Sequence, residues 1–175
     1  MAYFYLSSAL PGTRTTGGGT TKQTGTFTAL GAANVYATLA AIIADGYVSG
    51  DYIMVSDEHS ESLGATTLGA DQDGSAYFHY MISVDEGACQ TYTPAITVQF
   101  TKTVTGTIVL RNQNWFGIYS TAASTQDWVF TSAQNQQNSF TGCTFEHPTG
   151  TNLDTFFLNQ AAWNTIEFTV CSFVA

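Results

Sequence analysis

The feature that most constrains this chain is a motif that occurs twice near its C-terminal end. Phe140-Thr141-Gly142-Cys143-Thr144-Phe145 matches Phe168-Thr169-Val170-Cys171-Ser172-Phe173, 28 residues later, with four of six positions identical. The same offset sets Trp128-Val129-Phe130 beside Phe156-Phe157-Leu158, so one repeat holds several strands, with polar turns such as Gln134 to Asn138 between them. Alternating Phe, Cys and Phe at a fixed period is what a coil of parallel strands requires, because each turn lays its like residues about 4.8 Å above the previous one. The repeat therefore predicts an all-β chain that forms a short, right-handed, single-stranded parallel β-helix. In it, Phe140, Cys143 and Phe145 lie beneath Phe168, Cys171 and Phe173 as a core ladder, the thiols acting as small apolar fillers. The alternative is an antiparallel β-sandwich or jelly roll whose strands share aromatic alternation by coincidence.

The rest of the chain divides at about residue 30. Residues 1–30 open on Tyr3-Phe4-Tyr5-Leu6, one short strand, and run through Gly17-Gly18-Gly19 and many Thr residues, which reads as an extended arm. Tyr3, Phe4, Tyr5 and Leu6 are its candidate interaction residues. Residues 31–175 form the β-helical domain. Within it Val35, Leu39, Ile42 and Ile43 recur at helical spacing, with Asn34 placed to cap and Gly46 to stop, which predicts a capping helix over about 34–45. After Gly50-Asp51 the chain is β-rich, with short runs at 77–84, 95–101, 104–110, 115–119, 127–131, 139–145, 155–158 and 165–174.

Charge narrows the function. Only 10% of residues are charged, and Thr, Gly, Ala, Asn and Gln supply most of the polar surface, which suits an assembly or extracellular setting. A formal charge of -9, with Arg14, Lys22, Lys102 and Arg111 scattered, disfavours nucleic acid. No apolar run is long enough for a membrane span, and the start has no basic region of a signal peptide. Cys89, Cys143 and Cys171 are too few and too far apart for a disulfide framework or a zinc site, so a reducing cytosol is the expected folding compartment and no cofactor is expected.

Three segments carry a family resemblance: Met1-Ala2-Tyr3-Phe4-Tyr5-Leu6-Ser7-Ser8, Ala37-Thr38-Leu39-Ala40-Ala41, and Gly50-Asp51-Tyr52-Ile53-Met54-Val55-Ser56 with His59 and Glu61. Together they resemble the N-terminal cap of phage virion structural proteins with a pectin-lyase-like β-helix. The resemblance implies that the helix covers the open end of the coil and that the Gly-Asp-x-Ile-x-Val strand begins its first turn. It also implies a structural, non-enzymatic virion protein of the capsid-decoration or head-fibre kind, assembled in the host cytoplasm and exposed on the particle. The partners implied are the major capsid or tail protein, with host surface glycans as a further candidate. A tail spike or a polysaccharide-binding or depolymerase module is the alternative. Ile166 to Ala175 ends inside a strand with Phe168, Cys171 and Phe173 uncovered, which leads to the expectation of a homotrimer that shields the last turn.

Residues that could carry chemistry are few. Asp57, Glu58, His59 and Glu61 could bind a cation or supply an acid and a base, though adjacent residues of an extended segment face opposite ways, and a solvated loop is the plain alternative. Asp71-Gln72-Asp73-Gly74 opens like a calcium loop but lacks the later ligands, which makes it a turn. Two of Asp85, Glu86, Asp127, Glu146, Asp154 and Glu167 could flank a sugar bond, yet nothing in the sequence brings any two together. His79 between Phe78 and Tyr80 reads as an outward strand residue, and His147 before Pro148 as a turn residue. Trp115, Phe116, Tyr119, Trp128 and Trp163 could stack on sugars if they face outward, with core or subunit contact as the competing role. Gly17-Gly18-Gly19 lacks the Lys-Ser/Thr ending of a phosphate loop and reads as a joint.

Overall fold

The structure is a computed structural model that describes residues 1–10, 12–48, 50–63, 67–68, 79–102, 108–122, 128–130, 137–146, 157–159 and 165–174. The chain begins with β1 (Tyr3–Leu6), a one-turn helix α1 (Phe27–Leu30), a 3-10 turn (Ala32–Asn34), β2 (Val35–Tyr36) and helix α2 (Leu39–Ala44). From there the strands pass through three sheets in a fixed rotation. β3 (Tyr52–Ser56) lies in sheet A with β1 and β2, β4 (Glu61–Leu63) in sheet B and β5 (Thr67–Leu68) in sheet C. β6 (His79–Asp85) returns to sheet A and pairs at its C-terminal end with β7 (Ala88–Tyr92), after which β8 (Phe100–Lys102) joins B and β9 (Ile108–Leu110) joins C. β10 (Gln113–Phe116), β11 (Tyr119–Ala122) and β12 (Trp128–Phe130) visit A, B and C again, and so do β13 (Gln137–Thr141), β14 (Thr144–Glu146) and β15 (Phe157–Asn159). β16 (Thr165–Thr169) and β17 (Ser172–Val174) add one more strand to A and B.

Among the described residues every ladder is parallel except that of β6 with β7. The antiparallel sandwich is thereby overturned: from β3 onward, parallel neighbours in a sheet are separated by excursions through the other two sheets, far longer than a hairpin turn. Like residues meet across the strands. On the inner face of sheet A, Phe4, Ile53, Met81, Trp115, Phe140 and Phe168 stand in one register, and all but Phe168 are buried. The spacing is not constant, however, and paired residues in sheet A lie 28, 34, 25 and 28 positions apart along the stack. In sheet C, Trp128 pairs with Phe157 rather than with the expected Phe156. The connection from C back to A is one residue shorter in the later circuit, so the register of each sheet is set separately.

The expected ladder pairs are in register: Phe140 with Phe168, and Phe145 with Phe173. Their rings stack at 5.1 and 5.7 Å between centroids. The Cys143 carbonyl accepts from Ser172 N, and the buried Cys143 thiol, pushed up to about 12 by desolvation, points to the Trp115 carbonyl. The upper members are not core residues: Phe168 is 37% and Phe173 56% exposed, and Cys171 is half-buried, because no described strand lies above them.

Two N-terminal expectations need correction. The helix spans Leu39–Ala44, not 34–45, since Val35 and Tyr36 are β-forming residues that pair with Tyr5 and Leu6 of β1. Thr38 is the cap, accepting from Ala41 N, whereas the Asn34 amide donates to the Leu30 carbonyl. Helix α2 buries Leu39 and Ile42 in the same core as Phe4, Leu6 and Tyr36.

Nor is the first segment an arm that stands free. β1 lies inside sheet A between β2 and β3, so Phe4, Tyr5 and Leu6 are buried and only half-buried Tyr3 retains exposure. The Gly- and Thr-rich stretch needs no core of its own because it borrows one: Phe27 packs with Tyr5, Val35, Met54, Val84 and Cys89 on the outer face of sheet A. Backbone bonds from Phe27 N to Glu86 O and from Cys89 N to Gly25 O hold it there. Arg14 adds a clamp, donating to the Tyr36 hydroxyl and to the Gly17 and Gly18 carbonyls.

Candidate functional site

Alternation along the strands of sheet A sends every second side chain outward. With Ile53, Met81, Trp115 and Phe140 facing the core, Tyr52, Tyr80, Ile82, Phe116 and Thr141 face out, and these five together with Tyr92 line a groove of about 450 Å³. The floor starts with a tyrosine ladder. Tyr3, Tyr52 and Tyr80 are in register, their rings stacked at 5.1 and 4.6 Å with planes 14° and 11° apart. Burial raises the Tyr52 hydroxyl above its usual pKa, with the Tyr80 and Tyr3 hydroxyls adding to the effect, so it stays a neutral donor at physiological pH.

One wall depends on glycine. Tyr92, at the end of β7 and 48% exposed, lies against the corners where β10 and β13 leave sheet A. A Cβ on Gly117 would sit 2.8 Å from the Tyr92 ring and 3.0 Å from the Pro94 backbone, and one on Gly142 would sit 2.9 Å from the Tyr92 hydroxyl. Both corners are left-handed, at φ 66 and 61, so glycine meets the backbone need and the space need together. Burial raises the Tyr92 pKa, and the nearby Cys143 and Cys171 thiols raise it further.

The other candidates fall apart differently from their order in sequence. His59 is buried and pairs with Glu61 at 3.2 Å, while Glu61 also accepts from Leu39 N at the start of α2, so this pair ties the helix to β4. Asp57 and Glu58 turn instead toward Glu86: the Glu86 N–H donates to Asp57, and Ser7 donates to the Glu86 carboxylate. Desolvation raises the Glu86 pKa against the hydrogen bonds of Ser56 and Ser7, and the charges of Glu58 and Asp57 push the same way as burial. Among the described residues no group of three His, Cys, Asp or Glu is placed to hold a metal ion.

Glu146 accepts from Tyr119, and Glu167 lies on the exposed outer face. His79 is buried against Tyr47, which corrects the expected outward position. Trp115 is core, whereas Phe116 and Tyr119 are half-buried on the outside. Asp71, Asp73, Phe78, Asp127, His147, Asp154 and Trp163, and the side chain of Trp128, lie outside the described residues. The tyrosine groove is not visible in the sequence, where Tyr52, Tyr80 and Tyr92 are scattered. Its signal was the shared outward parity of Tyr3, Tyr52 and Tyr80, readable only once the register is known. Searches against protein-family models, curated proteins and solved structures return no match to this chain.

Proposed function

We propose that the chain is a short, right-handed, single-stranded parallel β-helix closed at its N-terminal end by α2, and that it serves as a structural virion protein of the capsid-decoration or head-fibre kind. The observation that carries this reading is the fixed rotation of strands through sheets A, B and C, with apolar residues stacked in one column on the inner face of sheet A. Such a body gets its stiffness from backbone hydrogen bonds that run from turn to turn, and it holds its shape without a bound group. The N-terminal resemblance supports the virion assignment, as does a surface poor in charge, at 10% of residues, and rich in Thr, Asn and Gln. In this reading the protein is a homotrimer, and the exposed Phe168, Phe173 and Val174 lie against neighbouring subunits or the capsid or tail protein.

The test is to band phage particles from an expressing host on a density gradient and probe them with antibody to this chain. The expected result is co-migration at a fixed copy number per particle; protein found only in the soluble host fraction would overturn the virion role. Light scattering against the 18.8 kDa chain mass decides the trimer. A polysaccharide-binding module is the second reading, favoured by the aromatic groove.

A further inference from the structure

A structural role leaves the groove on the outer face of sheet A without a use. We propose that it binds a neutral oligosaccharide lying along the stacking direction of the strands. The inference rests on the second reading above and stands or falls independently of the virion assignment.

The lining sets the ligand class. Tyr52, Tyr80, Tyr92 and Phe116 offer flat apolar surface, which packs against the C–H faces of pyranose rings, and no carboxylate, guanidinium or ammonium is among the residues that line the groove. With a formal charge of -9 on the chain, an anionic polymer would be repelled and a neutral one would not.

The same outward columns then turn polar. Above Tyr80 the register continues to Asn114, Ser139 and Glu167, and above Phe116 to Thr141 and Thr169, one residue per strand. Strands repeat about every 4.8 Å, close to the rise of one sugar unit in an extended polysaccharide, so each added unit meets a new amide, hydroxyl or carboxylate.

That polar track also argues against the other common guest of aromatic grooves, a proline-rich peptide. A carboxylate such as Glu167 only accepts hydrogen bonds, and a ligand that displaces its water must bring donors. Sugar hydroxyls are donors, whereas a proline nitrogen is not. Tyr92 is held in place against Gly117 and Gly142, so little ordering is needed when the ligand arrives.

The experiment is calorimetric titration of the full chain with maltohexaose, cellohexaose and isomaltohexaose, with hexagalacturonate and a proline-rich dodecapeptide alongside, followed by the same titrations of Tyr92→Ala and Tyr80→Ala. Saturable binding of at least one neutral hexasaccharide is expected, weakened at least about tenfold by Tyr92→Ala with the melting temperature unchanged. Because Tyr80 belongs to the ladder, its variant is read only if it melts like the parent; the exposed Tyr92 carries the decision otherwise. Absence of binding by all three neutral probes at millimolar concentration overturns the proposal. So does binding that Tyr92→Ala leaves intact, or preference for the peptide or the acidic sugar. None of these outcomes bears on whether the chain sits on a particle.

Discussion

Val170 occupies the corner that Gly117 and Gly142 occupy two circuits and one circuit earlier, with φ 54 against 66 and 61. A β-branched residue in the left-handed region is strained by about 1–2 kcal/mol, and glycine there returns part of that as unfolded-chain entropy. Val170 is 87% exposed, so its side chain contributes little packing. Val170→Gly is therefore expected to stabilise by about 0.5–1 kcal/mol, seen as a higher urea midpoint at unchanged slope. Glu86 gives a pH signature. Its pKa in the fold is raised above the ordinary 4.5, by burial first and by Glu58 and Asp57 after the opposing serine bonds. A raised carboxyl favours the fold below its unfolded pKa, and that advantage is lost as pH climbs through the folded value. Glu86→Gln should thus match the parent in acid and be the more stable of the two at neutral pH. Equal melting temperatures at both pH values would mean that Glu86 is ionised as easily in the fold as outside it.

At the scale of single elements, sheet A is held by its inner ladder, and Trp115 is its largest member, buried between Met81 and Phe140. Trp115→Ala should destabilise by about 3–5 kcal/mol, measured by denaturant unfolding, because neighbours fixed by two ladders cannot collapse into the space. This alternation was legible in the sequence wherever bulky and small residues kept one parity, as in the two Phe-Thr-x-Cys motifs. Register was not. Trp128 meets Phe157 because the return from sheet C is a residue shorter in the later circuit than in the earlier one, and loop lengths do not show in a motif comparison. The helix is shorter than its spacing predicts for a related reason. Val35 fits helical spacing with Leu39, but a vacant place beside β1 outweighs a helical turn once Tyr5 and Leu6 offer partners.

For the whole molecule, the N-terminal stretch is the part that composition described least well. Gly and Thr content spoke for a detached arm, since such residues bury too little apolar area to order themselves. The long-range partners of the stretch could not be seen: Tyr3 pairs with Tyr52, Phe27 enters a second core, and the Ala2 N–H donates to Asp51. The consequence is testable by truncation. Removing residues 1–28 takes away the strand that joins β2 to β3, strips the cover from Met54 and Val84, and leaves α2 without Phe4 and Leu6 beneath it. Several fully buried large side chains go at once, and each is worth about 1.5–3 kcal/mol of transfer free energy, which together exceed the usual margin of stability. The truncated chain should show no cooperative thermal transition and should aggregate through the bared edge of β3. A sharp transition near that of the full chain would mean that sheets A, B and C fold without β1, and that the first segment is an accessory after all.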